Sequence, residues 1–339
     1  MAGWSVREVG NGVDRAAVVA HRLAVQHLDR RLPASRWREA VACGLQDSAP
    51  RSAVLALHAR VSGVAPDAWE HPDLAQVWGP RGAVYVVLAA DVAAFTLGLM
   101  PRDEGVRDAA EETADVLGTA LGPDRVRKRE VLEIVDGRLD RLMAAAVTGR
   151  VRLRWDGRDT LVWIVPAPAV DPETARADLL RRFLDALGPS TPAGFARWSG
   201  LRPAEVRTTW EAVAGPEPAS AAAPARGARL LPPGDPFLLA PDRELLVPDA
   251  DRRRAVWPLG VAQPGALLAD GEIVATWRRR GHRVEITAFD DLPDDVRSAA
   301  EQEAAGFPLG LDPEVGVTWA RDGVGGSGAR GLGDGRRRR

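Results

Sequence analysis

The order of helices and strands in the first 90 residues constrains the fold most. Residues 13–32 carry apolar side chains at helical spacing, Ser35 can begin a second helical segment, and a third begins near Pro50. The stretch AQVWGPRGAVYVVL at 75–88 then predicts two short strands around a Gly-Pro-Arg-Gly turn. Three helices followed by a β-hairpin are typical of a winged helix, which is a variant of the helix-turn-helix.

The same order recurs further along the chain. Residues 105–121 and 126–147 are predicted to be helical, and VRLRWDGRDTLVWIVP at 151–166 predicts a second hairpin centred on Asp156 and Gly157. After another helix at 173–187, two short helices joined by a turn containing Gly200 fit a helix-turn-helix. Several strand-like stretches follow.

The chain is therefore predicted to have an α+β fold of tandem winged-helix units with a β-rich C-terminal subdomain. Its 339 residues exceed the size at which a single core stops growing. The predicted division is 1–100 for the first winged-helix unit, 101–170 for a second winged-helix-like unit, 171–227 for a third helix-turn-helix unit and linker, 228–318 for the β-rich subdomain, and 319–339 for a disordered basic tail.

Charge is nearly balanced overall but segregated along the chain. The net charge of -2 argues mildly against indiscriminate binding of nucleic acid. Arginines are concentrated in residues 125–154, whereas residues 103–115 are acidic. This segregation would suit a DNA-binding face with a solvated back, although two ordinary solvated helix faces would show it too.

Several classes of protein are disfavoured by composition. The single cysteine, Cys43, excludes an intrachain disulfide and a cysteine-based zinc site, and the five histidines show no ligand spacing. The N-terminus lacks the apolar segment of a signal peptide, and no apolar run reaches the length of a membrane span. We expect a cytoplasmic protein, a monomer without contact to a membrane, that needs no metal or other cofactor.

The heptapeptide GLQDSAP at 44–50 can be interpreted in two ways. As a turn between helices, Gly44 would end one helix, Asp47 or Ser48 would cap the next, and Pro50 would lie in its first turn. That interpretation gives Gln46 no role. The alternative is that Gln46 contacts a substrate.

Several stretches resemble the AlkZ-like (YcaQ-like) family of winged-helix DNA glycosylases, and together they run through roughly residues 13–310. They are GLQ at 44–46, WGPRG at 78–82, LLRRFLDALGPSTPAGFARWSGL at 179–201, LLPPGDPFLLAPDR at 230–243 and DGEIVATWRRR at 270–280. The resemblance implies tandem winged-helix units around a concave surface that binds DNA. It also implies excision of N7-alkylated purines, including bulky adducts and interstrand crosslinks.

The family's active-site motif, Gln-x-Gln or Gln-x-Asp, falls in the turn that Gln46 occupies. An N7-alkylated guanine is already cationic, so its departure needs no strong acid, and an amide can orient the attacking water. Here Ser48 stands where the second Gln or Asp is expected, and Asp47 occupies the spacer position. Ala83 and Tyr85 likewise replace a Thr and a His of the family's usual Arg-Gly-Thr-Leu-His.

Two main hypotheses follow. In the first, the chain is a DNA glycosylase, with Gln46, Ser48 and Asp47 as catalytic candidates. In the second, it binds duplex DNA without catalysis, as a repair accessory or a regulator. A third possibility is that its helix-turn-helix units serve only for packing.

Six residues are candidates for contact with duplex DNA, alkylated or crosslinked. Arg81 and Trp78 flank the first wing, although packing of Trp78 in the core is the favoured alternative. Arg152 and Arg154 lie two apart on a strand and so face the same side, which could also be a solvated face. Arg207 and Thr208 occupy the position of a recognition helix.

Overall fold

The computed structural model describes residues 14–155, 158–213, 227–310 and 315–321. The α+β class is confirmed, because helices alternate with two largely antiparallel sheets. The tandem winged-helix arrangement and the division into units stay predictions. The first part of the chain contains α1 (Arg15–Val25), α2 (Trp37–Ala40), β1 (Leu45–Gln46), α3 (Ser52–Arg60), β2 (Leu74–Trp78), β3 (Val84–Leu88) and α4 (Val92–Phe95).

The second part was predicted to hold one helix at 126–147, and this is wrong. Asp136 and Gly137 adopt left-handed backbone conformations (φ 58° and 72°), which cannot continue a right-handed helix. The observed elements are α5 (Glu104–Leu121), β4 (Val126–Arg127), α6 (Lys128–Ile134), α7 (Leu139–Ala146), β5 (Val151–Trp155) and β6 (Thr160–Ile164). The predicted turn at Asp156 and Gly157 lies outside the described residues.

The predicted helix-turn-helix is present as a pair of short helices. The Thr191 hydroxyl accepts a hydrogen bond from the Gly194 N–H and caps the first helix, and Gly200 in the left-handed region (φ 83°) ends it. The three helices here are α8 (Pro172–Leu187), α9 (Pro192–Ser199) and α10 (Pro203–Val213).

The C-terminal region is rich in strands, as predicted. It contains β7 (Ala228–Leu231), α11 (Arg243–Leu246), α12 (Ala250–Val256), β8 (Gly265–Ala269), β9 (Glu272–Arg280), β10 (Arg283–Ala288), α13 (Asp294–Ala305) and β11 (Gly316–Arg321). Strand β11 includes the first three residues that we assigned to the tail. Residues 322–339 and the linker residues 214–226 lie outside the described part of the chain.

The two predicted hairpins join in one six-stranded sheet, in the order β1-β3-β2-β5-β6-β4. They meet where Gln76 of β2 pairs with Leu153 of β5. A second sheet has the order β11-β10-β9-β8-β7, with β10 and β11 parallel. The first hairpin therefore lies between β1, which carries Gln46, and the second hairpin.

A single large core connects the N-terminal helices with the helix-turn-helix and the C-terminal region. Phe183, Phe195 and Trp198 of the helical part pack in the same buried cluster as Phe237 and Trp257. The burial of these large aromatic side chains in one cluster fixes the loop before Phe237 against the N-terminal segment. In the described ranges, no helix is long and apolar enough to cross a membrane.

Candidate functional site

Gln46 is held at the end of a two-residue strand. Gly44 has φ 70°, and a Cβ at this position would lie 2.5 Å from the Phe95 ring. Leu45 then pairs with Val86, and Gln46 pairs with Tyr85 of β3. The turn therefore buries Leu45 and leaves the Gln46 side chain partly exposed.

Two side chains fix the orientation of the Gln46 amide. Arg81 donates from Nη2 to Gln46 Oε1 at 3.2 Å, and Gln46 Nε2 donates to Ser48 Oγ at 3.0 Å. A reversed amide would set its NH2 group against a guanidinium that can only donate. The amide oxygen therefore faces Arg81, and the amide nitrogen faces the Ser48 hydroxyl.

Arg81 links this turn to the helix-turn-helix. It lies in the left-handed region (φ 58°) within the turn that joins β2 to β3. Its Nη1 donates to the carbonyl oxygen of Trp198 in the last turn of α9. A Cβ on Gly200 would lie 3.3 Å from Arg81, so the backbone after α9 approaches the wing closely. The carbonyl end of a helix favours a positive charge, which stabilises the guanidinium here.

The other wall of the site comes from the PPGDPF stretch. A Cβ on Gly234 (φ 76°) would lie 3.1 Å from Gln46 Cδ and Nε2. The next residue, Asp235, accepts two hydrogen bonds from Arg60 at 2.7 and 2.8 Å, with both side chains almost fully buried. Burial by itself lowers the pKa of Arg60, but the attraction of Asp235 outweighs it and leaves that pKa raised. This buried ion pair holds Gly234 against Gln46.

Asp47 does not join this group. Its carboxylate is buried and accepts hydrogen bonds from the Ala53 N–H at 3.0 Å and from Gln76 Nε2 at 3.3 Å. It thus satisfies an N–H in the first turn of α3, but the N-cap residue of that helix is Arg51 and not Asp47 or Ser48 as predicted. This geometry removes Asp47 from the catalytic candidates, since its oxygens face the interior.

Burial raises the pKa of Asp47 to about 6, although the hydrogen bond from Ala53 acts in the opposite direction. A carboxyl with a higher pKa in the folded state binds its proton more tightly there. The contribution of Asp47 to the free energy of unfolding therefore becomes more favourable to the folded state as pH falls from about 6 to about 4.

Asp47→Asn removes this titration and keeps an oxygen for Ala53. Urea denaturation of wild type and variant from pH 7 to pH 4 measures the difference in free energy of unfolding. We expect that difference to shift in favour of the wild type by about 1–3 kcal/mol as pH falls. Asp67→Asn, at an exposed position, is the control. If the difference in free energy of unfolding between wild type and Asp47→Asn does not change with pH, the raised pKa of Asp47 is contradicted.

Trp78 also falls outside the site. Its side chain is buried with Leu117, Leu142 and Leu153 in a separate hydrophobic cluster. The packing alternative is therefore supported, and Trp78 is no longer a candidate for contact with DNA.

The remaining DNA-binding candidates lie on two surfaces. Arg152 and Arg154 face the same side of β5, as predicted, and both are partly exposed. Arg154 pairs with Glu70 at 2.8 Å. Arg207 and Thr208 are exposed on α10, whereas the neighbouring Thr209 is buried.

The sequence analysis missed the residues that build the walls of the site. These are Gly234, the Trp198 carbonyl and the Arg60–Asp235 pair. The motifs LLPPGDPF and FARWSGL contained them, but nothing local showed that either motif meets Gln46. Arg60 and Asp235 are 175 residues apart in sequence.

The arrangement can hold a water molecule or a small polar group by hydrogen bonds. Gln46 keeps a second lone pair on Oε1 and a second N–H, and the Ser48 hydroxyl can still donate. The charged group that contacts Gln46 is a guanidinium and not a carboxylate. In the described ranges, no group of three or more His, Cys, Asp or Glu is placed to hold a metal ion.

Comparisons with known proteins agree on one family. A family model described as DNA glycosylase AlkZ-like matches residues 22–308. A curated protein of Streptomyces sahachiroi named "Interstrand DNA cross-link repair glycosylase" is 28% identical over 162 residues. That match covers 40% of this chain and 42% of the relative, so less than half of the relative's length is matched.

A solved structure, the Streptomyces sahachiroi DNA glycosylase AlkZ, shares the fold. It superposes with a TM-score of 0.70 at 19% identity and covers 91% of this chain and 100% of that chain. At this level of identity, the superposition shows a shared fold and nothing about function.

Proposed function

The chain belongs to the AlkZ-like DNA glycosylase family, and from that membership we propose that it excises N7-alkylated purines from duplex DNA. Gln46 lies at the proposed site of excision, and Ser48 assists it. The named activity of the curated relative extends the proposed substrates to interstrand crosslinks.

One observation carries the proposal: a partly exposed glutamine amide is fixed on three sides. Arg81 and Ser48 bind its two ends, and Gly234 approaches so closely that a Cβ there would lie 3.1 Å from Gln46 Cδ and Nε2. Fixing a glutamine side chain at the surface costs conformational entropy. We take this ordering as a sign that the Gln46 amide has a function. A fixed amide is suited to positioning a water molecule.

The proposed reaction needs little acid or base catalysis. In an N7-alkylated purine nucleotide the base carries a positive charge, so the C1′–N9 bond breaks with its electron pair moving to the base and neutralising it. Water adds to C1′ and gives up a proton to solvent. Gln46 Oε1 and Ser48 Oγ would accept hydrogen bonds from that water and orient its oxygen towards C1′.

A second candidate function is recognition of damaged duplex DNA without excision. It is favoured because, in the part of the chain that the structure describes, no carboxylate forms a hydrogen bond with the Gln46 side chain, and Asp47 faces the interior. The Arg81 guanidinium does not stabilise positive charge that develops on the sugar. It would instead bind a phosphate oxygen of the DNA backbone.

Contacts with undamaged parts of the duplex are proposed for α10. Arg207 and Thr208 are exposed on the second helix of the helix-turn-helix, where such helices reach the major groove. The proposed contact depends on the winged-helix arrangement, which we therefore propose as well. A monomeric state and a cytoplasmic location stay predictions from the sequence.

The test is release of N7-methylguanine from a duplex that carries one such base. Wild type, Gln46→Ala and Gln302→Ala are compared under single-turnover conditions, where Gln302 is an exposed glutamine of α13 and serves as the matched control. We expect release by wild type and by the control, and a rate roughly tenfold to a hundredfold lower in Gln46→Ala, because a misplaced water loses that much.

Ser48→Gln separates the two candidate functions. It restores a second glutamine at the position where one branch of the family carries it. If wild type binds the duplex but releases no base, and Ser48→Gln gains release, the chain is a binding protein with an otherwise intact site. If neither protein releases base from bound DNA, excision of this lesion is ruled out and only recognition remains.

A further inference from the structure

A groove on the six-stranded sheet combines tryptophans with arginines. It lies between the segment before β2 and the strands β5 and β6, with a volume of about 330 Å³. We call it the Trp–Arg groove and define it by Trp69, Trp163, Arg125, Arg152 and Arg154.

The tryptophan rings of the Trp–Arg groove are covered by guanidinium groups. The Arg125 Cζ lies 4.4 Å from the centre of the Trp163 ring. Trp69 is approached by two arginines, Arg154 at 4.5 Å and Arg51 at 3.9 Å. A guanidinium that stacks on a ring keeps its N–H edges free and loses much of its rotamer freedom before any ligand arrives. The faces of the two tryptophan rings are therefore occupied by arginines. The rings support these arginines and are not available for stacking on DNA bases.

Positive charge in and beside the groove is poorly compensated. Glu70 pairs with Arg154 at 2.8 Å, but no acidic side chain in the described ranges forms an ion pair with Arg51, Arg125 or Arg152. Burial lowers the pKa of Arg152 to about 10, which still leaves it charged at neutral pH, and its Nη1 donates to the Gly149 carbonyl. Unused donors on fixed cations are suited to an anion with several oxygens.

The groove adjoins the Gln46 turn through one side chain. Gln76 lines the groove, and its Nε2 donates to the Asp47 carboxylate beside Gln46. Arg51, which stacks on Trp69, follows the same turn and precedes α3. The groove therefore lies next to the chain segment that carries Gln46 and begins α3.

We propose that the Trp–Arg groove binds consecutive phosphates of a DNA backbone, with Arg125 and Arg152 as the contacting groups and Trp163 as the support of Arg125. The inference rests on the proposed function, because that function makes DNA the ligand. The groove binds the sugar–phosphate chain independently of base sequence and places the duplex relative to Gln46.

The test measures binding of an undamaged duplex by fluorescence anisotropy between 50 and 200 mM salt. Wild type is compared with Arg125→Ala, with the double variant Arg125→Ala/Arg152→Ala, and with Arg252→Ala/Arg254→Ala. The last pair is the matched control, because both arginines are exposed on α12 and already paired with aspartates. Circular dichroism confirms that each variant is folded.

Each phosphate contact contributes about 0.9 to the slope of log K against log salt concentration. We expect that slope to become shallower by about one in Arg125→Ala and by about two in the double variant, with affinity roughly tenfold to a hundredfold lower at the lowest salt. The control pair should match wild type. Trp163→Leu should weaken binding as Arg125→Ala does, because it removes the support of Arg125.

The outcomes separate this inference from the proposed function. If wild type binds duplex and the groove variants bind with unchanged slope, the groove is not a phosphate site, while DNA binding stands. If wild type does not bind duplex at any salt concentration, both are overturned. Weaker binding with the wild-type slope in Arg125→Ala would also overturn the inference, because it would show that no phosphate contact was lost.

Discussion

Asp235→Asn is expected to lower the free energy of unfolding by about 3–5 kcal/mol. The substitution keeps the shape of the side chain and an oxygen that can accept from the Phe237 N–H. It removes the charge that faces Arg60, whose guanidinium is buried and cannot reach water. An uncompensated charge in the interior is unfavourable, so most of the loss comes from Arg60 left alone.

Urea denaturation at pH 7 measures the effect. Glu39→Gln is the control, because the Arg36–Glu39 pair is exposed and its removal should leave the midpoint unchanged. Adding Arg60→Met to Asp235→Asn should recover part of the lost stability, since no buried charge then remains. If Asp235→Asn unfolds at the same urea concentration as wild type, the pair does not hold the loop before Phe237.

Gly44→Ala is expected to lower the free energy of unfolding by about 2–5 kcal/mol, which combines two effects. A left-handed backbone (φ 70°) disfavours any residue with a Cβ by about 1–2 kcal/mol. The added Cβ would also lie 2.5 Å from one atom of the Phe95 ring and 3.1 Å from Tyr85. Forcing atoms into a close-packed core adds about 1–3 kcal/mol.

Gly63→Ala separates the two effects. Gly63 has the same φ of 70°, but a Cβ there would meet nothing within 4 Å. It should therefore show only the backbone part of the loss, and the difference between the two variants measures the steric part. Equal losses in denaturant would mean that Phe95 moves away freely. Because Gly44 directly precedes Leu45, its variant should also slow base release if the glycosylase proposal is right.

Local features of the fold could be predicted from the sequence. The helix end at Gly200 follows from turn chemistry that needs only nearby residues, whereas the end predicted at Gly44 is wrong because α2 already ends at Ala40. The cap at Thr191 and the strands around the Gly79–Gly82 turn follow in the same way. Each of these signals lies within a few residues of its effect.

Long-range features could not be predicted, because pattern and propensity do not say which distant segments pair. The two hairpins were assigned to separate units, but Gln76 and Leu153 bring them into one sheet. The charge segregation around residues 125–154 likewise gave no sign that Arg154 and Arg125 stack on Trp69 and Trp163.

The candidate site was predicted in part. Gln46, Ser48 and Arg81 were all named from the sequence, and the structure brings them together. The direction of Asp47 depends on the alternation of side chains along an extended segment whose register the sequence alone leaves open. One residue of error in such a register exchanges an exposed carboxylate for a buried one.

The surroundings of Gln46 come from four separate stretches of chain: its own turn, the wing turn with Arg81, the end of α9 at Trp198 and the loop with Gly234. Opening any one of them dismantles the site, so its lifetime is set by the least stable of the four. A fragment that ends before residue 227 would have the glutamine but not the wall beside it. Under the glycosylase proposal, base release would report reassembly of two separately produced halves of this chain.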